Sequence, residues 1–286
     1  MTGSPGTGKS VLYDALAGTT GGPYSPPGVS TRTEPHRIVL TGKGRIRANL
    51  WVIPGQPSGE RRDAEETAFG PNSNTTGVIY VACWGRNKIW QQGRKDVIKD
   101  QIRASGLEPD QENVFRLEKD EELENFQRIC TRLKDAWRNR SDVWLIVAVT
   151  KCDLFWKDLS DVRDYYVPTS AAFRANAAAA KAKAARIAAD DNPGSTELAA
   201  AADMAENEAD TLADPARSAF ADVLSDLVES LGWKSFRSLA VLTASAFLDT
   251  YTFDRGVAEV SPSLDESKKN ALTRHFLAKV GEFCGL

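Results

Sequence analysis

Short apolar runs alternate with longer segments of helical period along the chain. The apolar runs predict strands at residues 37–41, 45–53, 77–84, 143–149 and 238–243, and we expect no strand after the last of these. The segment 121–138 illustrates the helical period, because Phe126, Ile129, Leu133 and Trp137 fall on one face. Strands that alternate with helices predict an α/β fold, with a mostly parallel sheet sandwiched by helices.

Two features refine the predicted sheet. The sequence Gly42-Lys43-Gly44 separates the first two strands and predicts a hairpin turn. The runs at 77–84 and 143–149 are too apolar for edge strands, so we expect both strands to be buried inside the sheet.

Two long segments exceed what a minimal α/β domain needs. Residues 85–120 form a polar excursion, and residues 155–235 form a larger insertion before the last predicted strand. The larger insertion is alanine-rich at 171–189, is interrupted at 193–195 and then resumes a helical pattern, which predicts a helical hairpin or small helical subdomain. We expect one domain over residues 1–286, whose insertion either packs on the sheet or, in the interpretation we prefer, contacts a partner.

Composition narrows the class of protein. Hydrophobic residues make up 42% and charged residues 26% of the chain, which is typical of a globular protein. The net charge of −3 shows no basic excess, so nucleic acid is not an expected partner. No apolar run is long enough to cross a bilayer and no signal peptide opens the chain, so we expect no membrane insertion and a cytoplasmic location.

A glycine-rich loop carries the strongest chemical signal. Gly3, Gly8, Lys9 and Ser10 fill the pattern G-x-x-x-x-G-K-[ST], whose glycines let backbone N–H groups curl around phosphates. The helix expected to follow would direct its positive end at the same anion. Lys9 would bridge the β- and γ-phosphates, and the Ser10 hydroxyl would bind Mg²⁺. The predicted nucleotide contacts in this segment are Gly3, Ser4, Pro5, Gly6, Thr7, Gly8, Lys9, Ser10 and Val11.

The segment before this loop is short. In α/β proteins with this pattern the loop follows the first core strand, whereas only Met1 and Thr2 precede it here, so we expect that strand to be truncated. The loop also occurs in ATPases and nucleotide kinases, and by itself it does not choose between GTP and ATP.

A second motif indicates which base is bound. The strand at 143–149 runs directly into Thr150-Lys151-Cys152-Asp153. The Asp153 carboxylate can accept hydrogen bonds from the ring N–H and the exocyclic amine of guanine, whereas adenine lacks this donor pair. The aliphatic part of Lys151 can cover the base, and Thr150 stands where Asn is usual. The alternative is a turn with solvated charges, but after a phosphate loop the motif favours guanine.

A third element follows the last predicted strand. Thr243, Ala244 and Ser245 resemble a small-residue element whose backbone N–H approaches the O6 atom of guanine. The alternative is a helix cap formed by Thr243 or Ser245. The guanine interpretation requires small side chains here, so that the backbone can approach the base.

A fourth element, residues 51–56, ends the second strand of the hairpin, where the second switch of a GTPase would begin. Gly55 would offer its N–H to the γ-phosphate, and Gln56 would orient the attacking water. Val52 stands where GTPases usually have Asp, and a valine cannot hold a magnesium-bound water. Taken at face value, this substitution weakens metal binding.

These residues make a family resemblance specific. Val52, Pro54, Gly55 and Gln56 after a hairpin strand resemble the prokaryotic Ras-like small GTPases that set cell polarity in gliding bacteria. The resemblance covers the nucleotide site from Gly3 to Ser245, without the two long insertions. It implies a P-loop NTPase fold and a magnesium-dependent GTP switch with slow intrinsic hydrolysis. It also implies effector and GTPase-activating partners, but not a polarity role.

The first switch of such a protein supplies a hydroxyl to Mg²⁺ and the γ-phosphate. Residues 27–33 lie in the right place, and Thr31 is the first choice, with Ser30 and Thr33 as alternatives. A charge-stabilising arginine could come from Arg32, Arg61 or Arg62. We favour the simpler interpretation that each of these arginines belongs to a solvated switch surface.

Three functions compete at this point. The first is a GTPase that cycles between two switch conformations and uses Gln56 and Lys9 in catalysis. The second is a module that binds GTP with little or no hydrolysis, which Val52 and Thr150 motivate. The third is a P-loop ATPase, which ranks last because no predicted strand ends in the Asp-Glu pair that ring-forming ATPases use.

Overall fold

A computed structural model describes most of the chain, and its described residues fall into two compact units. One unit contains residues 1–159 and 227–286, and the other contains residues 160–226. The described residues are 1–17, 33–41, 45–70, 73–87, 92–167, 182–183, 185–191, 195–213, 218–231, 239–244, 251–254, 257–260 and 265–285.

The first unit has an antiparallel hairpin at one side of its sheet. Strands β1 (Glu34–Thr41) and β2 (Arg45–Val52) pair in a register that runs from Glu34 opposite Val52 to Thr41 opposite Arg45. This confirms the predicted hairpin, while its turn at 42–44 lies outside the described residues.

Three parallel strands form the centre of this unit. They are β3 (Gly77–Ala82), β4 (Trp144–Val149) and β5 (Leu239–Thr243), in the order β3-β4-β5. Every residue of β3 and β4 after the first is buried, which confirms the prediction of two interior strands. The register places Ala82, Val149 and Thr243 at one edge, so the segments after all three strands meet there.

Met1 and Thr2 connect the hairpin to the parallel strands. The Met1 carbonyl accepts from the Ile53 N–H at 3.0 Å. On the other side, the Thr2 N–H donates to the Ile79 carbonyl at 2.9 Å and the Thr2 carbonyl accepts from Val81 at 2.8 Å. These residues lie between β2 and β3 and pair parallel to β3, in the position expected for a first strand.

Helices pack on both faces of the sheet. On one face, α1 (Lys9–Ala17) contributes Leu12 and Leu16 to a core that also holds Ile79, Val81, Ile146 and Ala148. The other helices of this unit are α2 (Gly59–Phe69), α3 (Gln92–Ala104) and α4 (Gln111–Trp137). On the opposite face, the Tyr80 ring lies 4.7 Å from that of Phe126 in α4. The described residues therefore form an α/β fold with the expected layers.

Helix α4 is longer than the sequence pattern predicted. It begins at Gln111 rather than at residue 121, because Asp110 caps it by accepting from the Asn113 N–H at 2.8 Å. Its buried face also includes the charged residues Glu118 and Glu122, which hid the helical period. The excursion at 85–120 thus consists largely of α3 and the first part of α4.

The prediction that no strand follows β5 was wrong. Strands β6 (Tyr251–Asp254) and β7 (Val257–Val260) form a second antiparallel hairpin, with Tyr251 opposite Val260. Each strand is only four residues long, so its alternation of apolar and polar residues is too brief to distinguish from a loop.

The second unit is helical in its described residues. It includes most of α5 (Leu159–Tyr166), a helical segment at 182–183 and 185–190, α6 (Thr196–Ala213) and most of α7 (Ala219–Ser230). The Tyr166 and Phe220 rings pack 4.7 Å apart, and the Ser218 hydroxyl donates to the Tyr165 carbonyl at 2.6 Å. This unit lies within the predicted helical insertion at 155–235. In the first unit, α8 (Glu266–Phe283) follows β7.

Candidate functional site

The loop at residues 3–10 depends on glycine for its backbone conformation. Gly3, Gly6 and Gly8 have φ angles of +146°, +73° and +85°, a region that other residues rarely adopt. A Cβ atom on Gly3 would also lie 2.2 Å from the Val81 carbonyl oxygen, so no side chain fits there. The glycines of the sequence pattern are therefore required by the local geometry, and Gly6 joins them.

Lys9 begins α1 and lies inside the loop. Its Nζ donates to the carbonyls of Gly3 at 3.0 Å and Ser4 at 2.8 Å. The side chain is buried, and burial lowers the pKa of Lys9 to about 7, with the charges of Arg61 and Lys151 acting in the same direction. A phosphate in the loop would supply the negative charge that favours the ammonium form.

The other predicted loop residues support this cradle. Thr7 is buried, and its hydroxyl donates to the Ser4 carbonyl at 3.0 Å. Ser10 and Val11 lie half-buried in the first turn of α1, where the helix presents its positive end. Pro5 is half-buried and Gly6 is exposed.

The motif after β4 is hydrogen bonded directly to the loop. Thr150 is buried, and its hydroxyl oxygen lies 2.5 Å from the Thr7 carbonyl oxygen. Lys151 Nζ donates to the Gly6 carbonyl at 2.6 Å. Asp153 is buried in the 3₁₀ turn Cys152–Leu154 that follows. The structure thus brings the predicted base-reading and phosphate-binding segments together.

The segment after β3 also belongs to this site, and sequence reasoning missed it. The Arg86 carbonyl accepts a second hydrogen bond from Lys151 Nζ, at 2.6 Å. The Arg86 guanidinium lies 3.3 Å above the Phe115 ring of α4. The sequence offered one clue. Residues 83–87 directly follow β3, and β3 ends at the same edge of the sheet as β4, which Thr150 follows.

Gly55 packs against the loop from the end of β2. A Cβ atom at Gly55 would lie 2.6 Å from both Pro5 Cα and Pro5 N, and 2.7 Å from Lys9 Nζ. Gln56 follows directly and is half-buried. Val52 is 1% exposed and belongs to the apolar interior. The predicted second-switch residues therefore lie beside Lys9, with an apolar side chain where Asp is usual.

Arg61 contradicts the expectation of a solvated arginine. It is buried at 5% exposure in the first turn of α2, and its Nη1 donates to the Gly55 carbonyl. Its Nε donates to Glu65 at 2.7 Å. Arg62 is exposed, and Arg32 lies outside the described residues. The first turn of α2 is rich in charged residues, so the sequence pattern did not indicate that one of its two adjacent arginines is buried.

The remaining predicted residues are described only in part. The Ala244 N–H donates to the Val149 carbonyl at 2.8 Å, so the chain after β5 runs alongside the end of β4. Ala244 is buried and Thr243 is half-buried. Ser245, Thr31 and Ser30 lie outside the described residues, whereas Thr33 is half-buried just before β1.

The donor groups fit a nucleotide better than they fit a magnesium ion. The loop offers backbone N–H groups, a helix start and a buried lysine, which together suit phosphate. Among the described residues, Ser10 and the alternative switch residue Thr33 offer hydroxyl oxygens, whereas Val52, which stands where Asp is usual, offers none. Ser10 and the nucleotide itself would have to hold the metal on this side of the site.

Comparisons were made with protein-family models and with curated proteins. No protein-family model matches the chain, and no curated protein matches it at a significant level. In the described part of the chain, no helix combines the length and apolar character that a membrane span requires.

Proposed function

We propose that the chain is a P-loop protein that binds guanine nucleotides and hydrolyses GTP to GDP and phosphate. One observation carries the proposal: Thr150 and Lys151 are hydrogen bonded to the carbonyls of Thr7 and Gly6 in the glycine-rich loop. A base-reading motif is useful only when it is held at a fixed distance from the phosphate site. An ordinary turn with solvated charges needs neither the buried Thr150 contact nor the Lys151 contact with the loop.

The binding step divides between the two segments. The loop backbone and the start of α1 would bind the phosphates, and Lys9 would exchange its bonds to the Gly3 and Ser4 carbonyls for phosphate oxygens. Asp153 would accept from guanine, while Lys151, held by the loop and by Arg86, would lay its aliphatic part along the base.

The hydrolytic step assigns a separate role to each of four residues. Gly55, which lies against Lys9, would offer its N–H to the γ-phosphate, and Gln56 would orient the attacking water. Lys9 would stabilise the negative charge that develops on the transferred group. A bound Mg²⁺ would neutralise charge on the β- and γ-phosphates, with Ser10 as a protein ligand.

A binding module with little or no hydrolysis is a second candidate function. The observation in its favour is Val52, whose buried apolar side chain stands where an acidic residue usually helps to hold the metal. Weaker metal binding would slow hydrolysis more than nucleotide binding, because the loop and Asp153 do not depend on Val52. A partner that completes the site would then set the rate. We further propose that the protein acts in the cytoplasm with effector and GTPase-activating proteins.

Competition between nucleotides tests the guanine assignment. GTP and ATP are competed against fluorescent GDP, with and without Mg²⁺, in the parent chain, in Asp153→Asn and in the control Asp158→Asn. Asp158 is an exposed aspartate in the next 3₁₀ turn. We expect the parent and the control to prefer GTP and Asp153→Asn to lose that preference. Equal competition by ATP in the parent would refute the assignment.

Single-turnover hydrolysis separates the two candidate functions. The chain is loaded with GTP, freed of excess nucleotide and followed for GDP formation over hours. GDP formation that Gln56→Leu abolishes would support the GTPase, whereas retained GTP in the parent would favour the binding module.

A further inference from the structure

Arg61 connects the second-switch segment to α4 through buried charges. Its Nη1 donates to the Gly55 carbonyl and its Nε donates to the Glu65 carboxylate at 2.7 Å. The second Glu65 oxygen accepts from Arg128 of α4. The chain of contacts therefore runs from the peptide that precedes Gln56, through α2, to the surface of α4.

The network is closed by further contacts from α4. With its carbonyl oxygen facing the two guanidinium groups, Asn125 accepts from Arg61 Nη2 at 2.6 Å and from Arg128 Nη2 at 3.3 Å. Arg132 lies 3.8 Å from Glu65. Arg61 thus uses three of its nitrogens on three different acceptors, which fixes the plane of its guanidinium.

We propose that Arg61 is a positioning residue for GTP hydrolysis: its bond to the Gly55 carbonyl fixes the peptide between Gly55 and Gln56, and Glu65 and α4 hold Arg61 in place. This inference rests on the proposed function and adds a residue to it. The carbonyl of Gly55 and the N–H of Gln56 belong to one planar peptide, so a bond to the first determines the orientation of the second. The start of the Gln56 side chain is oriented with it.

The location of the network supports a role beyond stability. A buried ion pair contributes little net stability, because the desolvation of its charges offsets their attraction. The charge of Arg61 also contributes to the lowered pKa of Lys9. A Cβ atom added to Gly55 would lie 2.7 Å from Lys9 Nζ. The arginine therefore contacts the second-switch segment at Gly55, the residue that approaches the γ-phosphate in the proposed mechanism.

The test compares two adjacent arginines of α2. Arg61→Met and Arg61→Lys are measured beside the control Arg62→Lys, since Arg62 is exposed on the same helix turn. For each variant we measure GDP affinity, thermal midpoint and the single-turnover rate of GTP hydrolysis. We expect Arg61→Met to lower the rate by about tenfold or more while GDP affinity changes by less than about threefold. Arg61→Lys, which keeps one charged donor, should recover part of the rate.

A variant on α4 guards against failure of the Arg61 variants to fold. Arg128→Met leaves Arg61 intact but removes a contact that holds Glu65, and its side chain is 43% exposed, so the fold should tolerate the change. We expect its hydrolysis rate to fall by about threefold to tenfold with GDP affinity preserved.

The outcomes separate this inference from the proposed function. A parent chain that hydrolyses GTP while Arg61→Met, or Arg128→Met if the former does not fold, keeps the parent rate would overturn the positioning role alone. Equal loss of GDP affinity and rate would also overturn it, since Arg61 would then merely support the loop. A parent that binds GTP without hydrolysing it would overturn the GTPase proposal and the positioning role together.

Discussion

The buried position of Lys9 predicts that nucleotide binding takes up a proton. Burial lowers the pKa of Lys9 to about 7 from an ordinary value of 10.5, and the charges of Arg61 after β2 and Lys151 after β4 contribute, while Cys83 after β3 opposes them. Phosphate binding should restore the ammonium form. At pH 8 about one nucleotide-free chain in ten carries the charge, so binding should take up about 0.9 proton, falling to about 0.1 at pH 6.

The same shift predicts how affinity depends on pH. Above pH 7 the free chain must protonate Lys9 before it binds phosphate, so GDP affinity should fall as pH rises. The expected decrease between pH 7 and pH 8.5 is about fifteenfold if the bound lysine stays protonated throughout. Lys9→Met should bind GDP more weakly and lose this dependence, whereas the exposed Lys268→Met should behave as the parent does.

Titration calorimetry of GDP binding measures both quantities. Binding heats recorded in two buffers with different ionisation enthalpies give the number of protons taken up, and the isotherms give the affinity at each pH. Uptake of less than about 0.2 proton at pH 8, together with flat affinity, would show that Lys9 is already charged in the free chain. Burial would then not lower the pKa of Lys9 to the neutral range.

Three further predictions follow from single contacts. Gly55→Ala should lower the free energy of unfolding by about 1–3 kcal/mol in a denaturant titration, because the new Cβ overlaps the loop, whereas Gly59→Ala meets no atom and should change it by less than about 1 kcal/mol. Thr150→Val should cost about 1–3 kcal/mol and weaken GDP binding, since the buried Thr7 carbonyl loses its donor; an unchanged unfolding curve would contradict this. For Glu65, burial is outweighed by hydrogen bonds from Arg128 and Arg61, and its pKa lies below the ordinary 4.5. The ionised Glu65 carboxylate therefore stabilises the fold above pH 4.5, and this stabilisation is lost as pH falls through the lowered pKa. Glu65→Gln should be less stable than the parent at pH 7, and the two should differ less in acid. Thermal unfolding at several pH values measures this difference.

The sheet and the glycine-rich loop could be predicted because their signals are local. A buried strand needs a continuous apolar run, and a loop with positive φ angles needs glycine, so both leave a trace in consecutive residues. Residues 78–82 and 145–149 satisfy the first condition, and Gly3, Gly6 and Gly8 satisfy the second. The hydrogen bond of Thr150 to the loop leaves no such local trace, and the order of the motifs indicated only that the two segments serve one site.

The burial of Arg61 could not be predicted because it depends on distant residues. A guanidinium is tolerated in the interior only when acceptors meet it there, and these acceptors come from Gly55, from Glu65 and from Asn125 of α4. Nothing in the sequence around Arg61 distinguishes it from the exposed Arg62. The position of Arg86 is a similar case, because its carbonyl becomes relevant only once β3 and β4 are aligned.

The two departures from the usual GTPase pattern have different structural consequences. Thr150 supports the loop, because its hydroxyl reaches the Thr7 carbonyl from a buried position. Val52 does not take over the role of the acidic residue. It pairs with Glu34 of β1, while its neighbours Trp51 and Ile53 are hydrogen bonded to Met1. Its buried side chain offers no ligand. In the proposed site, the segment expected to read guanine therefore keeps its contact with the loop, while the side expected to hold the metal lacks an acidic residue at Val52. If the chain hydrolyses GTP without a partner, charges on the protein itself have to compensate, and among the described residues Lys9 and Arg61 are buried basic residues that lie beside Gly55.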